Sequence, residues 1–161
     1  PISNMKLSSG IARIPEMVKL GVRVGLAVDG SASNDGSDLL EELRTGFLLH
    51  RLNSSSAAPT GYDMLKIATR GSASILGRDD IGQIAEGMAA DFFLINMDRL
   101  SLTGAQFDVS SMLGTVGYKG NVDYTVVNGR VVVREGRLTG VDEEKITAEA
   151  NHCVSRYLGR S

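Results

Sequence analysis

The apolar run VRVGLAV, residues 22–28, stands alone among helix-like segments, and this isolation most constrains what the chain can fold into. Its β-rich composition is that of a strand covered on both faces. Before it, IARIPEMVKLG has apolar residues at Ile11, Ile14, Met17, Val18 and Leu20 and a stop at Gly21. That spacing predicts a short helix with Pro15 in its first turn. After it, Ser37 is placed to cap a helix carrying Leu40, Leu43, Phe47 and Leu48. Thr60 and Asp63 form a capping arrangement for a third helix running through Met64, Leu65, Ile67 and Ala68 to Ile75 and Leu76, with Gly77 as its end. Residues 1–10 show no period and read as a loop. Helix, glycine turn and buried strand make an α/β unit, yet a parallel sheet cannot be built from one strand.

From about residue 78 glycine-punctuated strands replace helices. ADFFLIN, residues 90–96, reads as a strand, and VDYTVVNGRVVVREGRL holds two β-rich runs joined by Asn128-Gly129. Both residues tolerate positive φ, the requirement of a type I′ hairpin turn. A closing helix is expected from about Asp142 to Leu158, with Ile146, Ala150, Val154 and Leu158 along one side. The boundaries expected are therefore 1–77, 78–141 and 142–161.

A length of 161 residues suits about one domain, and 42% hydrophobic with 22% charged residues is the composition of a globular protein. A net charge of −2 provides no field to attract nucleic acid or an anionic membrane. No apolar run approaches the ~18 residues that span a bilayer. With one cysteine, Cys153, no intramolecular disulfide can form, so a reducing compartment, the cytoplasm, is expected. The first residue is Pro1 rather than Met, and the chain reads as a piece of something longer.

Asp29 ends the apolar run, where α/β folds present polar groups without disturbing the core. It reads equally as the start of an Asx-turn with Gly30. Asp29, Ser31, Ser33 and Asp35 also fall at positions 1, 3, 5 and 7 of a calcium-binding EF-hand loop, but position 6 is Asn34 instead of glycine and position 12 is Leu40 instead of glutamate. For a transition metal the chain has two histidines, His50 and His152, neither with a partner at ligand spacing; both read as partly exposed structural residues. Cys153 on a helix face reads as packing rather than nucleophile.

Three stretches, PISNMKLSSGIARIPEMVKLGVRVGLAVDGSASNDGSDLLEELRTGFLLHRL, ATRGSASILGRDDIGQIAEGMAADFFLINMD and VDYTVVNGRVVVREGRLTGVD, resemble in order the C-terminal third of the amidohydrolase superfamily. The similarity is to its hydrolytic deaminase and chlorohydrolase branch, and within it to 8-oxoguanine deaminases; VDGSASND and the motif G-x-I-A-E-G-M-A-A-D carry it. The resemblance implies an α/β fold, the last strand and helices of a (β/α)8 barrel, with strands of a composite β-sandwich and a terminal helix. It implies zinc or iron held by a His-x-His pair, a later histidine and the aspartate matched by Asp29, which in the family also shuttles a proton. Water activated by the metal would attack the carbon bearing an exocyclic amine, with loss of ammonia from a purine-like small molecule. Pro1, Ser3 and Asn4 match the P-x-S-N that follows the seventh strand, and Ser31 and Ser33 would lie near the substrate.

The His-x-His pair and the third histidine have no match in these residues, so the chain alone is expected to be inactive and to bind no metal. Hydroxytriazine aminohydrolases share the same motifs in this region and are the alternative parent. A second class of function is a non-catalytic module that associates with copies of itself through the edges beside residues 22–28, and a homo-oligomer is expected.

Overall fold

The structure, a computed structural model, describes residues 1–159. Its contacts separate two compact units. One comprises Pro1–Ala89 and Asn96–Gly120, the other Ala90–Ile95 and the chain from Asn121 onward. These divisions fall elsewhere than the sequence boundaries at 77 and 141: residues 96–120 group with the helices, and the closing helix groups with the sheet.

The first unit is built from α1 (Ile2–Lys6), α2 (Ile14–Lys19), α3 (Leu39–Ser54), α4 (Gly61–Lys66), a π-helical turn (Ile67–Gly71), α5 (Ser72–Ile75) and α6 (Met112–Thr115). Residues 1–10, expected as a loop, contain α1, a helix too short for its period to show in sequence. Pro15 does lie in the first turn of α2, where its missing N–H costs little. Gly21, at φ +73, ends that helix: its N–H bonds to the Val18 carbonyl and that of Val22 to the Met17 carbonyl, the paired arrangement of a Schellman stop. Thr60 and Asp63 form both bonds of the expected capping box on α4. The cap of α3 is Asp38, not Ser37. The Asp38 carboxylate accepts the Leu40 and Glu41 N–H groups at 2.9 and 3.1 Å, while Ser37, at φ +46, donates its hydroxyl to the Asn34 carbonyl.

Helices α3, α4 and α6 pack on one another around Leu43, Met64, Met112 and Leu113, joined by Leu102, Ala105 and Tyr118. A fully buried side chain of this size contributes about 1.5–3 kcal/mol. Backbones of α4 and α6 meet at two glycines: a Cβ on Gly114 would lie 2.7 Å from the Gly61 Cα, and one on Gly61 would lie 2.4 Å from the Ser111 carbonyl oxygen. Five of these seven core residues come from residues 100–118, expected to be strand-rich. The helical turns there span three or four residues each, too few to display a period.

Residues 22–28 were expected as a strand covered on both faces, and the structure corrects this. They join no ladder, and Val22 is 46% exposed. No neighbouring strand is present among the described residues to accept their hydrogen bonds. Instead the segment lies against the π turn and α5, where the Ser72 hydroxyl accepts the Leu26 N–H at 3.1 Å and faces the Leu26 carbonyl at 3.3 Å. The approach is close enough that a Cβ on Gly71 would sit 2.1 Å from the Val24 carbonyl oxygen.

The second unit is an antiparallel sheet in the order β1 (Phe92–Leu94), β2 (Tyr124–Val127), β3 (Arg130–Arg134), β4 (Arg137–Leu138), followed by α7 (Glu143–Tyr157). Asn128 and Gly129 have φ of +47 and +77, the geometry of the expected hairpin turn. Glu135 and Gly136 repeat it at +51 and +78, adding a hairpin that the sequence reading left out. Asp142 caps α7 by accepting the Lys145 N–H at 3.0 Å. No residue of α7 is buried; its apolar line at Ile146, Val154 and Leu158 stands about half exposed.

Candidate active site

Asp29 follows residues 22–28 with φ +66, a left-handed conformation that aspartate tolerates better than most residues. Its side chain is exposed at the chain's turn into a loop of small residues. One carboxylate oxygen accepts the Ser3 hydroxyl at 2.6 Å, and the other accepts the Gly30 N–H at 2.8 Å. The Ser3 hydroxyl, then the Gly30 N–H, hold the Asp29 carboxyl below the usual carboxylate range against a small opposing effect of burial. The carboxylate is therefore ionised at neutral pH.

The loop is not closed by the Asp29 side chain. Its turn is made by the Gly30 carbonyl, which accepts the Ser33 and Asn34 N–H groups at 3.0 and 2.9 Å and the Ser33 hydroxyl at 3.1 Å. The backbone thus carries the turn, while the Asp29 carboxylate bonds Ser3 and the Gly30 N–H.

Behind the loop lies a buried polar clamp that the sequence did not reveal. Asn34 is 2% exposed and donates through Nδ2 to the Val28 carbonyl at 2.7 Å and to Glu42 Oε1 at 2.6 Å. Glu42, fully buried in the first turn of α3, also accepts the Ile2 N–H at 3.1 Å. Asn34 and Glu42 thus tie both ends of the loop and α1 to α3. Nothing in the sequence separates Glu42 from its neighbour Glu41, since both suit the acidic first turn of a helix. Asp35, an EF-hand position in the calcium reading, is paired with Lys6.

Of the residues singled out in sequence, Ser3, Asp29 and Ser33 are brought together. The Ser33 hydroxyl adds to the lowering at Asp29. Asn4 and Ser31 are exposed, and neither makes a described hydrogen bond to Asp29. His50, expected to be partly exposed, is 3% exposed on the buried side of α3, and its Nδ1 has no hydrogen-bond partner. Burial pushes its pKa down, with Glu16 opposing. His152 and Cys153 are exposed on α7.

Residues 1–132 match the model of the Amidohydrolase family. The chain belongs to this family. It is 43% identical over 151 residues to a hydroxydechloroatrazine ethylaminohydrolase of Pseudomonas sp. strain ADP, covering 92% of this chain and 31% of that protein. It is 40% identical over 161 residues to a 5-methylthioadenosine/S-adenosylhomocysteine deaminase of Pelotomaculum thermopropionicum, covering 99% and 37%. Among solved structures it superposes with the atrazine chlorohydrolase TrzN of Arthrobacter aurescens TC1, complexed with zinc, at a TM-score of 0.87 and 35% identity, covering 94% of this chain and 34% of that one. The chain spans about a third of the length of the curated relatives it matches.

Within this amidohydrolase chain, Asp29 has the chemistry of a metal ligand: an anionic oxygen donor, exposed and kept deprotonated. Among the described residues no group of three His, Cys, Asp or Glu side chains could hold an ion together.

Proposed function

We propose that these residues form the C-terminal part of a metal-dependent hydrolase that replaces an exocyclic amine on a nitrogen heteroaromatic ring by oxygen, releasing the amine. The observation that carries this reading is the exposed Asp29 carboxylate, oriented by hydrogen bonds from Ser3 and Gly30 in a chain of the Amidohydrolase family. In it, Asp29 is both a ligand of zinc or iron and the group that passes a proton toward the departing amine. Such an ion, when bound, brings the pKa of water toward neutrality. Ser3 fixes the orientation of the Asp29 carboxylate, Ser31, Ala32 and Ser33 are small enough to leave room for a substrate beside it, and Asn4 lies in the substrate's vicinity. Residues 22–28 serve as the last strand of a (β/α)8 barrel in this reading, the four-stranded sheet as part of a β-sandwich, and the assembly as a cytoplasmic homo-oligomer.

For the substrate we propose an aminopurine of the guanine or 8-oxoguanine type, on the strength of VDGSASND and G-x-I-A-E-G-M-A-A-D at residues 28–35 and 82–91. An N-alkylamino hydroxytriazine is the second reading, favoured by the 43% identity to the Pseudomonas ethylaminohydrolase. The test uses the product of the complete reading frame containing these residues, loaded with zinc or iron. Amine release is measured from guanine, 8-oxoguanine, 5-methylthioadenosine and N-ethylamino hydroxytriazine. Turnover of one of the purines, lost on Asp29→Asn with the fold retained by circular dichroism, is the expected result. Turnover of the triazine alone selects the second reading, and full activity of the Asp29→Asn protein would remove Asp29 from the chemistry.

A further inference from the structure

The first unit contains a cleft of about 630 Å³ whose lining shares no residue with the Asp29 loop. Its volume lies within the roughly 300–1,000 Å³ of small-molecule sites. Its apolar lining comprises Val18, Val22, Val24, Pro59 and Ile67, with Val18 and Val22 about half exposed. Arg23, Asp63, Lys66 and Arg70 supply its charges. Lys66 is neutralised by Asp63 at 2.6 Å and lies 4.8 Å from the centre of the Tyr62 ring. The Lys66 ammonium, then the Thr60 hydroxyl, bring the Asp63 carboxyl down to about 2, so that pair stays closed across the neutral range.

Arg23 and Arg70 are different. Arg23 donates through one terminal nitrogen to the Ser74 carbonyl at 2.9 Å, which fixes the guanidinium and leaves its other N–H groups for a ligand. Arg70 is exposed, and among the described residues no carboxylate pairs with it or with Arg23. Arg70 belongs to the π turn, and the close approach of Gly71 to Val24 anchors that turn against the segment bearing Arg23. Such turns interrupt a helix at a cost and recur where a side chain must be presented to a ligand. Two guanidinium groups beside an apolar wall complement a ligand with an anionic head and a hydrocarbon body, since the planar fork of arginine matches carboxylate and phosphate oxygens.

We propose that this cleft binds a small organic oxyanion, a carboxylate or phosphate monoester carrying a short apolar chain, with Arg23 and Arg70 anchoring the anion and Val18, Val22 and Ile67 covering the chain. The site is separate from the amine-releasing chemistry assigned to Asp29 and stands or falls apart from it.

Titration calorimetry on the product of the complete reading frame with sodium hexanoate, hexyl phosphate, inorganic phosphate and hexanol tests this. Hexanoate or hexyl phosphate is expected to bind at one site, at least about tenfold more tightly than phosphate or hexanol, because each control lacks one of the two complementary halves. Whichever of the two binds better identifies the head group. Arg70→Gln is expected to weaken binding about tenfold, the loss of one charge-assisted hydrogen bond; Arg23→Gln should do the same, and Asp29→Asn should leave it unchanged. Arg70 is exposed, so its variant decides the matter even where Arg23→Gln disturbs the fold. Equal binding of hexanol, equal binding of inorganic phosphate, no binding of any probe, or an unchanged affinity in Arg70→Gln would each overturn the proposal.

Discussion

The Ser3 hydroxyl donates to the Asp29 carboxylate across 2.6 Å, joining residues 26 positions apart and lowering the pKa of an exposed acid. Removing that hydroxyl in Ser3→Ala should move the Asp29 pKa upward toward the ordinary carboxylate value of about 3.9. The sign follows from linkage: with the folded pKa depressed, the favourable interaction is present above the unfolded value and lost as pH falls through the folded one. Carbon-detected NMR titration of the Asp29 carboxyl measures the shift directly, and an unchanged pKa in Ser3→Ala would show that the Gly30 N–H and the Ser33 hydroxyl hold it without Ser3.

Asn34 and Glu42 meet at 2.6 Å in a site from which water is excluded. Asn34→Ala leaves a buried carboxylate short of a donor and should cost about 1–3 kcal/mol. Asn34→Asp, nearly the same shape, should cost more at neutral pH because a second negative charge faces Glu42, and the difference should shrink under acid conditions. Urea unfolding midpoints of the two variants at neutral and acid pH provide the comparison; equal midpoints at both would contradict the clamp.

Gly71 touches the Val24 carbonyl so closely that no side chain fits. In an isolated helix Gly→Ala stabilises by about 1 kcal/mol. Here Gly71→Ala should destabilise by about 1–3 kcal/mol instead, since either the π turn or residues 22–28 must shift. Thermal unfolding measures the sign, and Gly140→Ala, where an added Cβ meets nothing within 4 Å, serves as the control.

His50 is buried with its pKa lowered chiefly by desolvation. The folded protein therefore binds fewer protons than the unfolded chain just below the ordinary histidine value of about 6.5. Stability from this site is complete above that value and declines as pH falls from it toward the lowered folded pKa. Between pH of about 7.5 and 5.5, unfolding free energies should fall in the parent protein and fall less in His50→Phe.

Features decided within about five residues of chain were legible in the sequence. The Thr60–Asp63 capping box, the Gly21 and Gly77 helix stops, the Asn128-Gly129 turn and the closing helix each depend on backbone angles and hydrogen bonds between near neighbours. So was the placement of Asp29 at the end of an apolar run, a matter of order along the chain. Short elements escaped because a five-residue helix such as α1, or the turns of residues 100–115, hold too few side chains to show a period.

What only the tertiary structure decided are the relations between distant residues. Apolar composition marks residues 22–28 as strand-like, but a strand exists only where another backbone completes its ladder, and here the partner is the Ser72 hydroxyl, 46 residues from Leu26. Identical chemistry makes Glu41 a surface residue and Glu42 the buried centre of a clamp, because the packing of α3 turns one side chain outward and the other toward Asn34 and Ile2. The sequence by itself determined which carboxylate stands at the mouth of the loop. Only the fold determined that Ser3 would reach it, because hydrogen bonding depends on distance in space, which the order of residues leaves open.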